Sequence, residues 1–443
     1  MSEDRKRKYL QTSLVQTVLS KNSDLLDLEV LKCSLEVPSH LDGFMATIYC
    51  LNVTVRNKQT QESSELSLLV KVMKGDDKFR RESLGLVLFP NEINVYRNVV
   101  PTFKKLLATQ GADIDATKWC PRIFFAEQGY FPEYSDQYET ILVMENAQTA
   151  GFKSGPRLNL DEIHLNLMVR KIAQFHACSY ALRLIDNEKL AQLVESIIPL
   201  NFTQDGKVAF ESYDVVFRET QKRMFGYFAS RRNQFNENGV YADIEMLKKT
   251  YGDNPSQLMQ RCLHRDDTYS VILHGDYNRN NVLFKYDDEK AVDVLMIDFQ
   301  ENRYGSPALD LSFFMYMNMT ESLRNSHWDT MLHNYHDELL RCITEITNIP
   351  ATDERMEPYS FPNMMAHLSN FFVYGAIIAV KFLPVMMGSA EDVAEIVYYF
   401  HNDIYANAFK RVMHRSGGEE ADQRVAGVMS HCSQRGYLKF LWK

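Results

Sequence analysis

The chain has 443 residues, of which 45% are apolar and 24% are charged, and these globular fractions exclude a mainly disordered or fibrous protein. The 49 basic and 58 acidic side chains give a formal net charge of −9, which lacks the basic footprint of a dedicated nucleic-acid-binding protein. A chain of this length can form two or three domains, or one two-lobed unit, and can bury a core without disulfides or structural metals.

Nothing in the sequence marks a secreted or membrane-spanning chain. The N-terminal stretch MSEDRKRKYLQTSLVQ is charged and lacks the apolar segment of a signal peptide. The most apolar run, Phe371–Val380, is about half as long as a bilayer requires and is predicted to be a buried core helix. The seven cysteines are scattered without a CxxC pair, which indicates reduced thiols. We therefore expect a cytoplasmic protein without a membrane span.

In chain order, the first third alternates strands with a helix. After an N-terminal helical stretch, Ala46–Asn57 and Glu65–Met73 are rich in β-branched and apolar residues, and the polar link between them predicts a hairpin. A helical pattern begins at Pro90, and Pro121–Gly129 and Tyr138–Asn146 are two further strand candidates. These elements predict a small, largely antiparallel sheet with one inserted helix.

Beyond Gly151 the apolar periodicity becomes helical, as in Leu160–Leu182. Helical segments continue to the end of the chain, interrupted by one β segment, Val271–Gln300. We place the main boundary near Ala147–Phe152. The predicted class is therefore α+β, with a small antiparallel-sheet lobe over residues 1–147 and a larger, mainly helical lobe over residues 148–443.

The β segment carries the residues with the clearest chemistry. His274-Gly275-Asp276 is followed five residues later by Asn281, and Ile297-Asp298-Phe299 comes near the end of the segment. Phosphoryl transfer needs a carboxylate that orients the attacking hydroxyl and accepts its proton, together with oxygen ligands that hold Mg²⁺ across the nucleotide phosphates. Asp276 fits the first requirement, and Asn281 and Asp298 fit the second.

The stretch between Asn281 and Asp298 predicts a hairpin that turns at Asp287–Lys290 and brings Asp298 back beside Asn281. The competing interpretation is a polar hairpin whose Asp and Asn residues are only solvated turn residues. A more literal HRD motif ends at Asp266, but Val271 stands five residues later and cannot bind a metal. We interpret that motif as a charged loop.

Partners for a nucleotide lie in the first third. Lys71 is inside an apolar strand, where a lysine is costly to bury unless it is paired. Glu92 can supply the carboxylate, although Glu82 is also available, and such a pair would hold the α- and β-phosphates. The alternative for Lys71 is an outward-facing charge on the strand.

The rest of a nucleotide site is marked less clearly. Leu142–Ala147 is interpreted as the segment that crosses between the lobes, where backbone groups such as those of Glu145 and Ala147 hold an adenine edge. Alone, it would be an ordinary buried strand end. The glycine loop is SHLDGFMATIY, whose single glycine, Gly43, marks the approach of the backbone to phosphate poorly.

These segments resemble the ecdysteroid kinase-like family, also called CHK kinase-like, within the choline kinase and aminoglycoside phosphotransferase group. The resemblance extends from about Val37 to Val412 and is carried by LLVKV, NEINVYRNVVP, ILVMENAQTAGF, KIAQFHACSYAL, HGDYNRNNVLF, YGAIIAVKFLP and, most specifically, MIDFQENRYGSPALDL. It implies a protein-kinase-like bilobal fold. It also implies ATP- and Mg²⁺-dependent phosphorylation of an alcohol group on a small molecule, with ecdysteroids as the named substrate.

The resemblance assigns roles to both lobes and to single residues. Residues 1–147 become a nucleotide-binding lobe, and residues 148–443 become a catalytic and substrate-binding lobe. ATP is expected at Gly43, Lys71, Glu92, Glu145 and Ala147, catalysis at Asp276 and Asn281, and the metal ion at Asn281 and Asp298. The expected partner is a small-molecule alcohol and not a nucleic acid. The sequence indicates no oligomeric state.

Two other functions stay open. A catalytically silent pseudokinase with a ligand-binding or regulatory role is favoured by the single glycine, whereas the intact catalytic, metal and phosphate residues favour the enzyme. A protein kinase ranks third, because no APE-type segment for docking a peptide is present. We interpret His176 as a core histidine, His274 as a brace of the catalytic loop, and Asp310 as a helix cap or a tie to the loop backbone.

Overall fold

The computed structural model describes residues 3–38, 45–202, 211–236 and 238–442. The strands of this described part are, in chain order, β1 Leu28–Glu36, β2 Ala46–Asn57, β3 Ser63–Met73, β4 Ile123–Tyr130, β5 Tyr138–Glu145, β6 Phe152–Lys153, β7 Val271–Leu273, β8 Val282–Asp287, β9 Lys290–Met296 and β10 Arg303–Gly305. The helices are α1 Glu3–Gln11, α2 Ser13–Lys21, α3 Asp77–Glu82, α4 Gly85–Asn94, α5 Val100–Gln110, α6 Glu162–Ile185, α7 Asn187–Glu195, α8 Glu211–Ser230, α9 Arg232–Asn236, α10 Val240–Tyr251, α11 Pro255–Cys262, α12 Ala308–Asn318, α13 Glu321–Thr347, α14 Phe361–Ser369, α15 Val373–Met386, α16 Ala390–Asn402, α17 Asn407–Arg415 and α18 Gly418–Gln434.

These elements form two compact units. The first unit combines Met1–Thr109, Asp115–Lys153 and Leu283–Glu301. The second combines Gln110–Ile114, Ser154–Val282 and Asn302–Lys443. The first contains the antiparallel sheet and the second is mostly helical, so the predicted α+β class is confirmed.

The sheet of the first unit has five antiparallel strands in the order β1-β2-β3-β5-β4. The predicted hairpin is β2–β3, whose register runs from Ala46 opposite Met73 to Arg56 opposite Ser63. β1 was not predicted, because this edge strand is partly exposed along most of its length and lacks a clear apolar alternation. The predicted helix also begins earlier than expected, since α4 starts at Gly85 and Pro90 lies inside it.

One face of this sheet packs on the two N-terminal helices. Leu51, Val53 and Val55 of β2 alternate into this core, where they join Leu14 and Val18 of α2. Side chains of a strand alternate between the two faces of its sheet. Residues between these core positions therefore face the opposite side of the sheet, where α4 contributes its own apolar residues.

A second, three-stranded sheet has the order β6-β8-β9. Its β8–β9 hairpin turns at Asp288, whose φ of 52° is in the left-handed region that a tight turn requires. The hairpin predicted after Asn281 is therefore confirmed. Although it lies in the second half of the sequence, Leu283–Glu301 belongs to the first unit.

The apolar run Phe371–Val380 is buried, as predicted, but the helix that contains most of it, α15, continues past Lys381 and Pro384 to Met386. In the described part of the chain, no single helix is long and apolar enough to cross a bilayer. The pair α14 and α15, bent by 48°, passes the same length and composition test only when taken together.

Gly375 allows α15 to approach α12 closely. A β-carbon at this position would lie 2.2 Å from the Ser312 carbonyl carbon, and the Gly375 N–H donates to Ser312 Oγ at 3.0 Å. We expect Gly375→Ala to lower the free energy of unfolding by about 1–3 kcal/mol, because backbone atoms cannot make room as a flexible side chain can. The control is Gly226→Ala in α8, where a β-carbon would meet nothing within 4 Å. Equal stability of the two variants in urea unfolding would contradict this prediction.

Candidate active site

Lys71 lies on β3, one of the inner strands of the five-stranded sheet. It stands opposite Ile48 of β2 and Leu142 of β5. Its neighbours Val70 and Val72 point into the core beside α2, so the alternation of the strand directs Lys71 to the other face. The Lys71 side chain is buried there. A buried ammonium needs charged or hydrogen-bonding partners.

Two carboxylates supply them. Lys71 Nζ lies 2.7 Å from Glu92 Oε2 and 2.9 Å from Asp298 Oδ1. Glu92 is on α4, one turn after Phe89, whose ring centroid is 5.4 Å from Nζ. The side chain of Glu82, the alternative partner, lies outside the described part of the chain. We call Lys71, Glu92 and Asp298 the charged triad; all three belong to the first unit.

The electrostatics of the charged triad follow from burial and proximity. Burial alone would lower the pKa of Lys71, but the charges of Asp298 and Glu92 outweigh it and raise the pKa above its ordinary value. Burial raises the pKa of Glu92 to about 7 against the opposing effect of Lys71, and Asp298 adds to the increase. Glu92 Oε1 is buried and has no hydrogen-bond partner among the described residues. Lys71 therefore stays charged at neutral pH, whereas Glu92 takes up a proton more readily than an ordinary glutamate.

The raised pKa of Glu92 predicts that nucleotide affinity depends on pH. As the pH falls through about 7, protonation removes the charge of Glu92 and loosens Lys71, so the affinity for a nonhydrolysable ATP analogue should fall. Glu92→Gln is neutral at every pH and should lose this component. Calorimetric titration at several pH values should therefore show a wild-type advantage over Glu92→Gln that is largest above pH 7 and shrinks below it. An advantage that is constant with pH would contradict the assignment.

Asp298 is held in an unusual backbone conformation two residues after β9. Its φ of 64° is in the left-handed region, which Asp adopts more readily than most residues. The next residue, Phe299, is buried and packs edge-on against Tyr96, with ring centroids 5.5 Å apart. Tyr96 belongs to a π-helical segment, Val95–Val99, between α4 and α5. The π-helical segment that directly follows the helix of Glu92 therefore supports the residue after Asp298.

A second buried ion pair fixes the end of β3. Arg80 on α3 donates to both carboxylate oxygens of Glu139 on β5, at 2.9 and 3.1 Å, and both side chains are buried. Arg80 also donates to the carbonyl oxygens of Met73, Lys74 and Tyr138. The sequence reasoning missed this pair, because the only signal was a charged run after β3 that does not single out Arg80.

The predicted adenine segment is the end of β5 and the start of the short 3₁₀ helix Ala147–Ala150. The Glu145 N–H donates to the Arg122 carbonyl at 2.8 Å, and the Asn146 N–H donates to the Ser67 carbonyl at 3.1 Å. The segment is thus held by backbone bonds on both sides. The role of Glu145 and Ala147 towards adenine stays a prediction.

An apolar cluster adjoins this segment within the first unit. Ala147, Phe152 and Leu295 are buried together, and Leu283 of the β8–β9 hairpin packs against them. The strand pairing places Phe152 opposite Lys285 of β8. The sequence reasoning did not single out these apolar residues, because the approach of β6 to the hairpin is a tertiary contact. Gly43, the predicted loop glycine, lies in residues 39–44, outside the described residues.

In the second unit, Asp276 lies on the loop after β7, and nearby residues of the same loop hold it by hydrogen bonds. Asn281 Nδ2 donates to Asp276 Oδ2 at 2.7 Å and to the Asp276 carbonyl at 2.9 Å. Asn278 Nδ2 donates to Asp276 Oδ1 at 2.8 Å, while its Oδ1 accepts the Asn280 N–H. The structure therefore brings Asp276 and Asn281 together. These bonds use the amide nitrogen of Asn281 and leave its Oδ1 as the atom that could ligate a cation.

Asp310 on α12 ties down the backbone that precedes Asp276. Its Oδ2 accepts the His274 N–H at 2.8 Å and its Oδ1 accepts the Gly275 N–H at 2.9 Å. His176 Nε2 lies 3.1 Å from Oδ2, and His176 Nδ1 is 3.0 Å from the Tyr335 hydroxyl. Burial would raise the pKa of Asp310, but the contacts with His176 and the loop lower it below its ordinary value. The interpretations of His176 as a core histidine and of Asp310 as a backbone tie are confirmed.

The HRD motif ending at Asp266 is a turn. Asp266 Oδ1 accepts the N–H groups of Thr268 at 2.8 Å and Tyr269 at 3.2 Å, and the Asp266 N–H donates to Ser270 Oγ. This carboxylate stabilises its own loop, as expected of an aspartate at the start of a turn. The interpretation of this motif as a charged loop is confirmed.

A comparison with known protein families shows to which family the chain belongs. The family model described as "Ecdysteroid kinase-like family" matches residues 40–348, which is more than half of the chain. The chain belongs to the ecdysteroid kinase-like family. The match includes the charged triad, the Asp276 loop and Asp310. It agrees with the resemblance of the sequence motifs up to residue 348, whereas the motif YGAIIAVKFLP lies beyond the matched residues. No curated protein matches the sequence.

Solved structures similar to this ecdysteroid kinase-like protein share little sequence with it. A microcompartment-associated aminopropanol kinase is 10% identical, with 94% of this chain and 95% of that chain covered and a TM-score of 0.40. The GDP and kanamycin complex of an aminoglycoside phosphotransferase is 11% identical, with 88% and 95% covered and a TM-score of 0.36. The GDP complex of wild-type aminoglycoside 2′-phosphotransferase-IIIa is 10% identical, with 94% and 99% covered and a TM-score of 0.35. These matches are too distant to indicate a substrate.

Each of the two predicted metal ligands of this ecdysteroid kinase-like protein carries an oxygen of the kind that Mg²⁺ prefers, a carboxylate or a carbonyl oxygen. Asp298 offers a carboxylate that is 28% exposed and already next to a cation, Lys71. Asn281 offers its amide oxygen. Asn281 belongs to the second unit and Asp298 to the first. Within the described ranges, no group of three or more His, Cys, Asp or Glu side chains is placed to hold a metal ion.

Proposed function

We propose that this protein is an ATP- and Mg²⁺-dependent phosphotransferase that acts on an alcohol group of a small molecule. Membership of the ecdysteroid kinase-like family supports small-molecule phosphotransferase activity in general. The observation that carries the proposal is the charged triad, in which a buried lysine between two carboxylates presents a fixed positive charge of the kind that holds nucleotide phosphates.

The roles divide between the two units. Lys71 would bind the α- and β-phosphates of ATP, with Glu92 fixing the position of its ammonium group. Mg²⁺, held by Asn281 and Asp298, would neutralise phosphate charge. Asp276 would orient the acceptor hydroxyl and take its proton while the hydroxyl oxygen bonds to the γ-phosphorus and the bond to the β-phosphate oxygen breaks, leaving ADP.

The adenine would lie along Glu145 and Ala147, against the apolar cluster of Phe152, Leu283 and Leu295. Flat apolar surface beside backbone donors and acceptors suits a purine, because the ring is apolar on its faces and polar on its edge. The family name makes an ecdysteroid the first candidate for the acceptor, and a xenobiotic alcohol the second.

The test is an ATP-consumption screen against steroids, sugars, cationic alcohols and xenobiotic alcohols, with Asp276→Asn as the control enzyme. A phosphorylated product formed by the wild type and not by the control would support the proposal. Nucleotide binding without turnover on any acceptor class would instead support the pseudokinase with a ligand-binding or regulatory role, which the single glycine at Gly43 favours.

A further inference from the structure

A buried arginine in the second unit has two side-chain nitrogens without a hydrogen-bond partner among the described residues. Arg324, in the first turn of α13, is 1% exposed. Its Nε and Nη1 atoms are buried and have no hydrogen-bond partner among the described residues. Its guanidinium lies against α18, because a β-carbon built on Gly427 would be 3.1 Å from Nη2. An unpaired buried guanidinium is strongly unfavourable, so this arrangement requires a compensating group.

A second arginine lies near the first. Arg424 on α18 donates to Asn159 and to the Met317 carbonyl through its two terminal nitrogens. Its Nε is buried and has no partner in the described part of the chain. Burial and the positive charge of Arg324 lower the pKa of Arg424 to about 10, against the opposing charge of Glu420. The two like charges are therefore close enough to act on each other.

His431 lies beside the same pair. Its Nδ1 is 3.1 Å from the Tyr316 hydroxyl, and its Nε2 is buried without a partner among the described residues. Burial and the charges of Arg324 and Arg435 lower its pKa to about 3, so the ring is neutral at physiological pH. His431 consequently adds a polar edge to the cluster and no third charge.

An acid of the same helix acts on Arg324 from a distance. Glu321, one turn before it on α13, is exposed. Its Oε2 lies 3.5 Å from the position of a Gly427 β-carbon, so it approaches the same place from the solvent side. Its negative charge acts on Arg324 only as a partial compensation for burial.

We propose that Arg324, Arg424 and His431 form a binding site for a small dianionic oxyanion of the phosphate and sulfate class, between the start of α13 and α18. The site uses none of the residues assigned to nucleotide or acceptor. Unused N–H groups of two guanidiniums match the oxygens of such an anion, which would accept hydrogen bonds and neutralise both charges.

The test is a calorimetric titration of the full chain with inorganic phosphate, in a buffer free of phosphate and sulfate. The wild type should bind one phosphate in a saturable manner, and its melting temperature should rise with phosphate until the site is full. Lys71→Met should bind phosphate equally well, which separates this site from the nucleotide site. Absence of saturable binding to the wild type, or its loss in Lys71→Met, would overturn the proposal.

Four variants test where the anion binds. Arg324→Met should weaken phosphate binding at least tenfold, whereas Arg355→Met, which removes an exposed arginine that pairs with Asp353, should not change it. If Arg324→Met does not fold, Arg424→Gln serves in its place, because that side chain is only half-buried and should also weaken binding. Unchanged phosphate binding in the variant that folds would overturn the proposal.

Glu321→Gln should bind phosphate as tightly as the wild type or more tightly. A loss of melting temperature in Glu321→Gln that phosphate does not restore would instead make Glu321 the partner of Arg324 and would also overturn it.

Discussion

Asp276→Asn should lower turnover by about 10²–10⁴-fold, because the amide cannot accept the proton of the acceptor hydroxyl. The substitution keeps the shape of the side chain, and the amides of Asn278 and Asn281 that contact it can still meet an oxygen. The expected loss is therefore in kcat, with the melting temperature changed little. Steady-state kinetics on an acceptor found in the screen would measure it.

Asp266→Asn is the matched control, since it makes the same change at the other HxD motif. Its carboxylate serves a turn through Thr268 and Tyr269, and asparagine supports the same turn. Activity of Asp266→Asn should stay close to that of the wild type. The reverse order of effects would show that the catalytic aspartate has been misassigned.

Asp298→Asn should lower turnover by about 10²–10³-fold, the typical cost of removing one group that stabilises charge in the transition state. The variant loses a negative charge beside Lys71 and the carboxylate expected to bind Mg²⁺. Asparagine also tolerates the left-handed backbone at this position, so the fold should be preserved. Turnover measured over a range of Mg²⁺ concentrations would test this.

The control for Asp298 is Asp287→Asn, which removes an exposed carboxylate from the same hairpin. Its turnover should equal that of the wild type, and its free energy of unfolding should lie within about 0.5 kcal/mol of the wild-type value. If Asp298→Asn retained most of its activity at saturating Mg²⁺, the metal site would lie elsewhere.

Local patterns were sufficient where a segment carries its own signal. The β-branched alternation of β2 and β3 and the polar turn of the β8–β9 hairpin predicted these elements closely, because strand pairing and turn formation depend on neighbouring residues. The short loop from Asp276 to Asn281 was predicted for the same reason, since five residues of chain hold the two side chains near each other.

Only the tertiary structure showed which residues of distant segments contact each other. The sequence left both Glu82 and Glu92 as partners of Lys71, and the packing of α4 on the sheet brings Glu92 within 2.7 Å. The Arg80–Glu139 pair, separated by 59 positions, has no local signature.

Assignment of Leu283–Glu301 to the first unit also required the structure, because helical periodicity before and after this segment placed it in the helical lobe. The sequence likewise gave no sign that two nitrogens of Arg324 have no hydrogen-bond partner among the described residues. An arginine near a helix start is ordinarily solvated, and only the packing of α13 against α18 shows that this guanidinium is buried. The sequence by itself determined the local elements and the residue types of the chemistry, while burial and long-range packing determined which charges meet.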